Sequence, residues 1–159
     1  MNQALFTSNT DEWSTPQYVF DYYNDIYNFT LDACASEHNH KVDNFRSKEN
    51  CGLKDKWVGN IWCNPPYSHL KLWIEKSYNE AMSSNITVVM LIPARTDTIA
   101  WHKYVSKGKV TFIKGRLKFS NSENSAPFPS AIIVFNKHIL LNTEGSTQYL
   151  DLKQFNKGN

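Results

Sequence analysis

Asn60-Ile61-Trp62-Cys63-Asn64-Pro65-Pro66-Tyr67 is a short apolar run that ends abruptly at two prolines. Successive prolines remove ladder donors and cannot continue a central strand, so the chain must leave a sheet at Asn64. From Ser68 to Met82 the apolar residues Leu70, Trp73, Ile74, Tyr78 and Ala81 recur at helical spacing and share one face. Thr87-Val88-Val89-Met90-Leu91-Ile92 follows, a continuous apolar run ending at Pro93. Strands of a parallel sheet, covered on both faces, read this way.

The pattern extends outward. Upstream, Thr15-Pro16 predicts a helix start, with Thr15 as cap and Pro16 at the first helical position. Val19, Phe20, Tyr23, Ile26 and Tyr27 then form an apolar stripe. Phe29 to Ala33 reads as a strand, while Ser36 to Lys56 is polar and without period, and His38, His40 and Lys41 within it carry no assigned role. Downstream, Asp97 is expected to cap a helix through Tyr104, and Val110 to Ile113 and Ala131 to Phe135 read as strands. Strands alternating with helices imply an α/β fold with a mostly parallel central sheet. One domain is expected over residues 11–159, preceded by an arm of residues 1–10. Such sheets bind ligands beyond the carboxyl ends of their strands. Asp32, Asn64 and Arg95 each stand at such an end.

Composition narrows the function classes. The 159 residues are 41% apolar, enough for a core. No run of about 18 apolar residues is long enough to span a membrane, and Met1 to Thr10 does not read as a secretory signal. Three cysteines without a CxxC pair suit a reducing, cytoplasmic compartment rather than a disulfide framework. The five histidines show no ligand spacing, so no metal is expected. A net charge of +2 does not by itself announce a nucleic-acid partner, which would need a local basic face.

Asn64-Pro65-Pro66-Tyr67 carries the chemistry. The plain alternative is a strand-ending turn, but a hydrogen-bonding side chain directly after a buried strand and before a helix suits a catalytic corner. The amino nitrogen of an aromatic base is a poor nucleophile because its lone pair is delocalised into the ring. Acceptors placed on both N–H groups concentrate charge on that nitrogen as it attacks, which stabilises the transition state. The side-chain oxygen of Asn64 is one such acceptor and the Pro65 carbonyl a second. The prolines fix the backbone and add no competing donor. Tyr67 offers a flat face, and base–aromatic stacking is worth roughly 1–3 kcal/mol. A base inside a duplex must be flipped out to reach such a pocket.

The tetrapeptide resembles the Asp/Asn/Ser-Pro-Pro-aromatic motif of the amino-methyltransferases. Glu12-Trp13-Ser14-Thr15-Pro16, Leu31-Asp32-Ala33-Cys34-Ala35-Ser36, Gly52-Leu53 before Trp57, Leu91 to Thr98 and Ala126-Pro127-Phe128-Pro129-Ser130 occur in order around it. Together they resemble the phage-type DNA N-6-adenine methyltransferases, the Dam family of phages and prophages, over Asp11 to Asn136. The resemblance implies a single-domain Rossmann-like class I methyltransferase fold, a seven-stranded sheet with helices on both faces. It implies S-adenosyl-L-methionine as methyl donor and DNA as substrate. It also implies cofactor contacts from Trp13, Ser14, Thr15, Pro16, Asp32, Ala33, Cys34 and Asn50, and a target base held by Asn64, Pro65, Pro66 and Tyr67. Ala33-Cys34-Ala35-Ser36 stands where methyltransferases usually carry a glycine-rich loop after the first strand, and Asn50 where many relatives carry an acid. Asp43 is the acidic candidate for the cofactor's ribose.

Arg95, Asp97 and His102 follow the third strand and are candidates for DNA contact, against a salt bridge and a helix cap as the simpler reading. Lys114, Arg116 and Lys118 would share one face of an extended hairpin segment and could track a phosphate backbone. Trp101 reads as core. The same tetrapeptide also serves enzymes acting on RNA adenine or on protein glutamine. A catalytically weak or inactive DNA- or cofactor-binding relative is a further alternative.

Overall fold

The computed structural model describes residues 12–47, 51–142 and 147–156; the expected arm and Asn50 lie outside them. Along the chain run α1 (Gln17–Tyr27), β1 (Leu31–Asp32), β2 (Asn60–Cys63), α2 (Leu70–Ser83), β3 (Thr87–Pro93), α3 (Ile99–Lys103), β4 (Lys109–Ile113), β5 (Ser130–Phe135), α4 (Lys137–Leu141) and β6 (Thr147–Leu150). The strands form one sheet in the order β1-β2-β3-β5-β4-β6. β1, β2 and β3 pair in parallel, as do β4 and β6, and β5 runs against both of its neighbours, β3 and β4. The resemblance implies seven strands; the described residues form six.

Alternation along the strands sends side chains to two cores. Ile61, Cys63, Val88, Met90, Ile92 and Ile133 pack beneath α2, α3 and α4 through Trp73, Ile74, Ala81, Ala100, Trp101 and Leu140. Trp62, Val89, Leu91 and Val134 face the other way, against Val19, Phe20 and Tyr23 of α1. Phe20 meets Trp62 edge-on at 5.5 Å, which anchors α1 over β2. Helices therefore cover both faces, and β3 is buried along its length save for Thr87.

Several local expectations give way to the structure. Pro16 is the N-cap of α1, not its first helical residue, and the Thr15 hydroxyl does not cap. It is taken instead by the side chain of Asn64. Thr98, one residue beyond Asp97, caps α3 by accepting from the Trp101 amide at 3.2 Å. The expected strand from Phe29 to Ala33 shrinks to Leu31–Asp32. Lys114, Arg116 and Lys118 do not lie on a hairpin strand: β4 ends at Ile113, and Gly115 turns the chain with φ +75°. Arg116 and Lys118 nevertheless alternate with buried Leu117 and Phe119, which keeps both cations outward.

Candidate active site

The polar segment after β1 folds back along the edge of that strand. The Asp32 amide donates to the Asn44 carbonyl at 3.0 Å, and the Arg46 amide donates to the Asp32 carbonyl at 2.9 Å. The turn brings two further amides, of Lys41 at 3.0 Å and Cys34 at 3.4 Å, onto the Asp32 carboxylate. Asp32 is 2% exposed. Burial pushes its carboxyl up from the ordinary 3.8 to about 6, against the opposing pull of those amides and of the His40 and Lys41 charges. A carboxylate held this far from water gains from any cation brought beside it.

β2 ends in the proline corner. The side-chain nitrogen of Asn64 donates to the Trp13 carbonyl, and to the Thr15 hydroxyl at 2.9 Å. An amide nitrogen has two protons, and both are committed. A carbonyl can only accept, so the pairing with Trp13 fixes which end of the amide is nitrogen. The oxygen Oδ1 is left buried with no partner among the described residues. Leaving a buried acceptor unpaired costs roughly 1–3 kcal/mol, a cost relieved only when a donor arrives.

The Trp13 ring lies 6.5 Å from that of Tyr67 at an interplanar angle of 20°, and 5.4 Å from that of Phe128 at 89°. Phe128 also meets the Tyr67 ring edge-on at 5.2 Å. Tyr67 is 8% exposed, so its faces are covered by these neighbours. Burial pushes its phenol far up, opposed by the positive charge of Arg95, which sits just past the end of β3. The Tyr67 hydroxyl and the Trp13 indole nitrogen are, like Asn64 Oδ1, buried without partners among the described residues.

One cavity of about 390 Å³ joins these ends. Trp13, Ser14, Thr15, Asp32, Ala33, Cys34, Asn64 and Pro66 line it, eight of the twelve residues expected to hold the cofactor or the base. Pro16, Pro65 and Tyr67 flank the cavity without lining it, and Asp43 is exposed outside it. Sequence reading missed Asn39, Lys41, Arg46, Leu53 and Trp73, all on the wall. The Gly52-Leu53 signal explains one part of it: the Trp57 indole donates to the Gly52 carbonyl at 2.9 Å, and Gly52 lies so close to Ala33 that no side chain fits.

The basic candidates do not line the cavity, though Arg95 is near enough to Tyr67 to act on its phenol. Arg95, Asp97, His102, Arg116 and Lys118 are exposed, and Arg95 does not pair with Asp97. Lys114 reaches Asp151 at 3.7 Å. Among the described residues no group of three or more His, Cys, Asp or Glu side chains gathers to hold a metal, and no helix is long and apolar enough to cross a membrane.

Comparison with known proteins bears on this arrangement. The chain is 37% identical over 121 residues to a DNA N-6-adenine-methyltransferase of Haemophilus phage HP1, covering 73% of this chain and 70% of that protein. It is 42% identical over 94 residues to a DNA N-6-adenine-methyltransferase of Escherichia phage T1, covering 57% of this chain and 39% of that one. A family model described as DNA N-6-adenine-methyltransferase (Dam) matches residues 3–154. With that match spanning nearly the whole chain, and the proline corner and Asp32 opening on one cavity, the chain belongs to the DNA N-6-adenine-methyltransferase (Dam) family.

Proposed function

We propose that this chain transfers a methyl group from S-adenosyl-L-methionine to the exocyclic amino nitrogen of adenine in DNA, as one Rossmann-like class I methyltransferase domain over residues 11–159. The observation that carries the catalytic assignment is the buried, unpartnered Oδ1 of Asn64, a residue that lines the cavity. A catalyst for a delocalised amine needs an acceptor kept vacant until the amine's N–H arrives.

The cavity suits the cofactor. Its volume of about 390 Å³ lies within the range of roughly 300–1,000 Å³ typical of small-ligand sites. Its wall carries a buried carboxylate, Asp32, with Lys41 and Arg46 nearby, so a molecule bearing both cationic and anionic groups finds partners for each. Asp32, with Trp13, Ser14, Ala33, Cys34 and the backbone of Thr15, would hold it, the Thr15 hydroxyl being taken by Asn64; the resemblance adds Pro16 and Asn50. Once bound, the sulfonium supplies an electrophilic methyl group. The chain's residues do the rest. Asn64 Oδ1 accepts one N–H of the adenine amine and the Pro65 carbonyl the other, which holds the nitrogen in line and raises its electron density. Once methylated, the nitrogen would carry one proton too many, and that proton would leave to solvent. Pro66 fixes the corner, and Tyr67 stacks on the base once Phe128 has moved aside. Arg95, Arg116 and Lys118, with Lys114, His102 and Asp97 beside them, face the DNA.

The test is transfer of labelled methyl groups to DNA, RNA and glutamine-containing peptide, followed by hydrolysis to nucleosides or amino acids. Methyladenine from DNA is expected with the native chain. Replacing Asn64 by Ala removes it, by about 100-fold or more, while cofactor affinity stays within about threefold. Equal loss of turnover and cofactor affinity in Asn64→Ala would contradict the role given to Asn64.

A further inference from the structure

We infer that Thr15 is a positioning residue: its hydroxyl, with the Trp13 carbonyl, clamps the Asn64 amide so that Oδ1 is presented to the target amine. The inference rests on the role proposed for Asn64. A free asparagine side chain rotates about its last torsion and exposes oxygen and nitrogen in turn, because that torsion is broad and roughly two-fold. Turned about, Asn64 would point two donors at an amine that itself donates, and the site would repel its substrate. What prevents this is the pair of acceptors on Nδ2. The Trp13 carbonyl is backbone and comes with the fold. The Thr15 hydroxyl at 2.9 Å is the contribution of a side chain. Thr15 is 3% exposed, so its hydroxyl is held in place by the surrounding packing.

The clamp is itself braced from the far side. The Ser14 amide donates to Asn121 Oδ1 at 3.0 Å, the Asn121 side-chain nitrogen donates to the Glu12 carbonyl at 2.8 Å, and the Ser120 amide donates to the Ser14 carbonyl at 2.9 Å. The Trp13 ring is wedged against Phe119, Tyr67 and Phe128. The segment therefore stays docked when one hydroxyl is removed, and loss of the Thr15 oxygen acts on the orientation of Asn64 rather than on the fold. The geometry also explains why Thr15 does not cap α1: its hydroxyl is committed to a residue 49 positions away.

The experiment compares Thr15→Val, which keeps the shape and loses the oxygen, with Thr15→Ser, which keeps the oxygen. Expected for Thr15→Val is a fall in kcat of about 10- to 100-fold, since misplacement of about 1 Å costs up to that much. KM for DNA and the calorimetric Kd for the cofactor stay within about twofold, and Thr15→Ser recovers most of kcat. In nitrogen-15-labelled protein without substrate, the Asn64 side-chain amide signals shift and exchange faster in Thr15→Val and not in Thr15→Ser. Equal kcat in the Val and Ser variants, or unmoved Asn64 signals, overturns the inference. So does a Thr15→Val defect confined to cofactor affinity, which makes Thr15 a cofactor ligand. If the fold refuses Val, Thr15→Ala is read the same way. Failure of the underlying reading looks different: Asn64→Ala then retains turnover whatever the Asn64 signals report in the Thr15 variants.

Discussion

Asp32→Asn is expected to make the protein more stable at neutral pH and poorer at binding its cofactor. The carboxyl of Asp32 titrates near 3.8 in an unfolded chain and near 6 in the folded one, because burial penalises its charge. Between those values the folded state binds more protons than the unfolded state, so stability falls as pH rises. The loss is complete above about pH 6. A shift of about two units corresponds to roughly 3 kcal/mol, at 1.36 kcal/mol per unit. That figure already contains the favourable hydrogen bonds from the Lys41 and Cys34 amides, since they act on the same carboxylate. Asn removes the charge and keeps one acceptor, but its side-chain nitrogen meets one of the two backbone N–H groups that the carboxylate accepts, which takes back about 1–3 kcal/mol of the gain. Urea unfolding of both proteins from about pH 4 to about pH 8 measures the difference directly. From about pH 4 to about pH 8 the gap between the two curves should change by roughly 3 kcal/mol in favour of the variant, the native protein losing stability while the variant stays flat. Cofactor affinity, read by calorimetry, should rise with pH through about 6 in the native protein and stay flat and weak in Asp32→Asn. Parallel stability curves, or a variant less stable at pH 8, would refute the claim that Asp32 is held charged at the expense of the fold.

Three further outcomes are expected. Gly52→Ala places a Cβ 2.3 Å from the Ala33 carbonyl oxygen, so the backbone beside the cavity must shift; a stability loss of about 1–3 kcal/mol and weaker cofactor binding should appear together in thermal melts and calorimetry. Arg116→Ala with Lys118→Ala removes two exposed cations, and the slope of log affinity for duplex DNA against log salt should flatten by about 1.8, with cofactor affinity unchanged. An unaltered slope places the phosphate backbone elsewhere. Phe128→Ala uncovers Tyr67, and KM for DNA should change while the cofactor Kd does not, as read by steady-state kinetics and calorimetry.

What was legible in the sequence is what local chemistry decides. β2 and β3 were readable to within a residue because apolar runs closed by proline leave no other reading, and the stripe through Trp73 and Ile74 gave α2. The edge strand was not readable. Leu31–Asp32 is short because its outer neighbour is an irregular stretch, Asn44 to Arg46, whose pairing no period announces. The same stretch hides Lys41 and Arg46, which reach the cavity only through that turn. Caps were misjudged where a tertiary partner outbid the local one. Thr15 looks like a helix cap but serves Asn64, and Asp97 looks better than Thr98 on charge alone. Asn64 and Asp32 were legible as a pair because strand ends in a parallel sheet share one side, whereas Arg95, past a third such end, does not line the cavity.

The contacts around the proline corner span long stretches of chain: 51 residues separate Asn64 from Trp13, and 107 separate Ser14 from Asn121. Loops of that length close late, since their entropy must be overcome before the contacts repay it. The central strands are held by ladders on either side, whereas this corner is joined by hydrogen bonds between loops and by the packing of Trp13 against Phe119, Tyr67 and Phe128. Lacking a strand ladder, it is expected to open locally at less cost than the sheet. In amide hydrogen exchange, Ser14 should lose its protection at a free energy well below that of Val89 or Ile132. A breathing rim around a stationary frame lets a swung-out nucleotide enter without dismantling the protein that receives it.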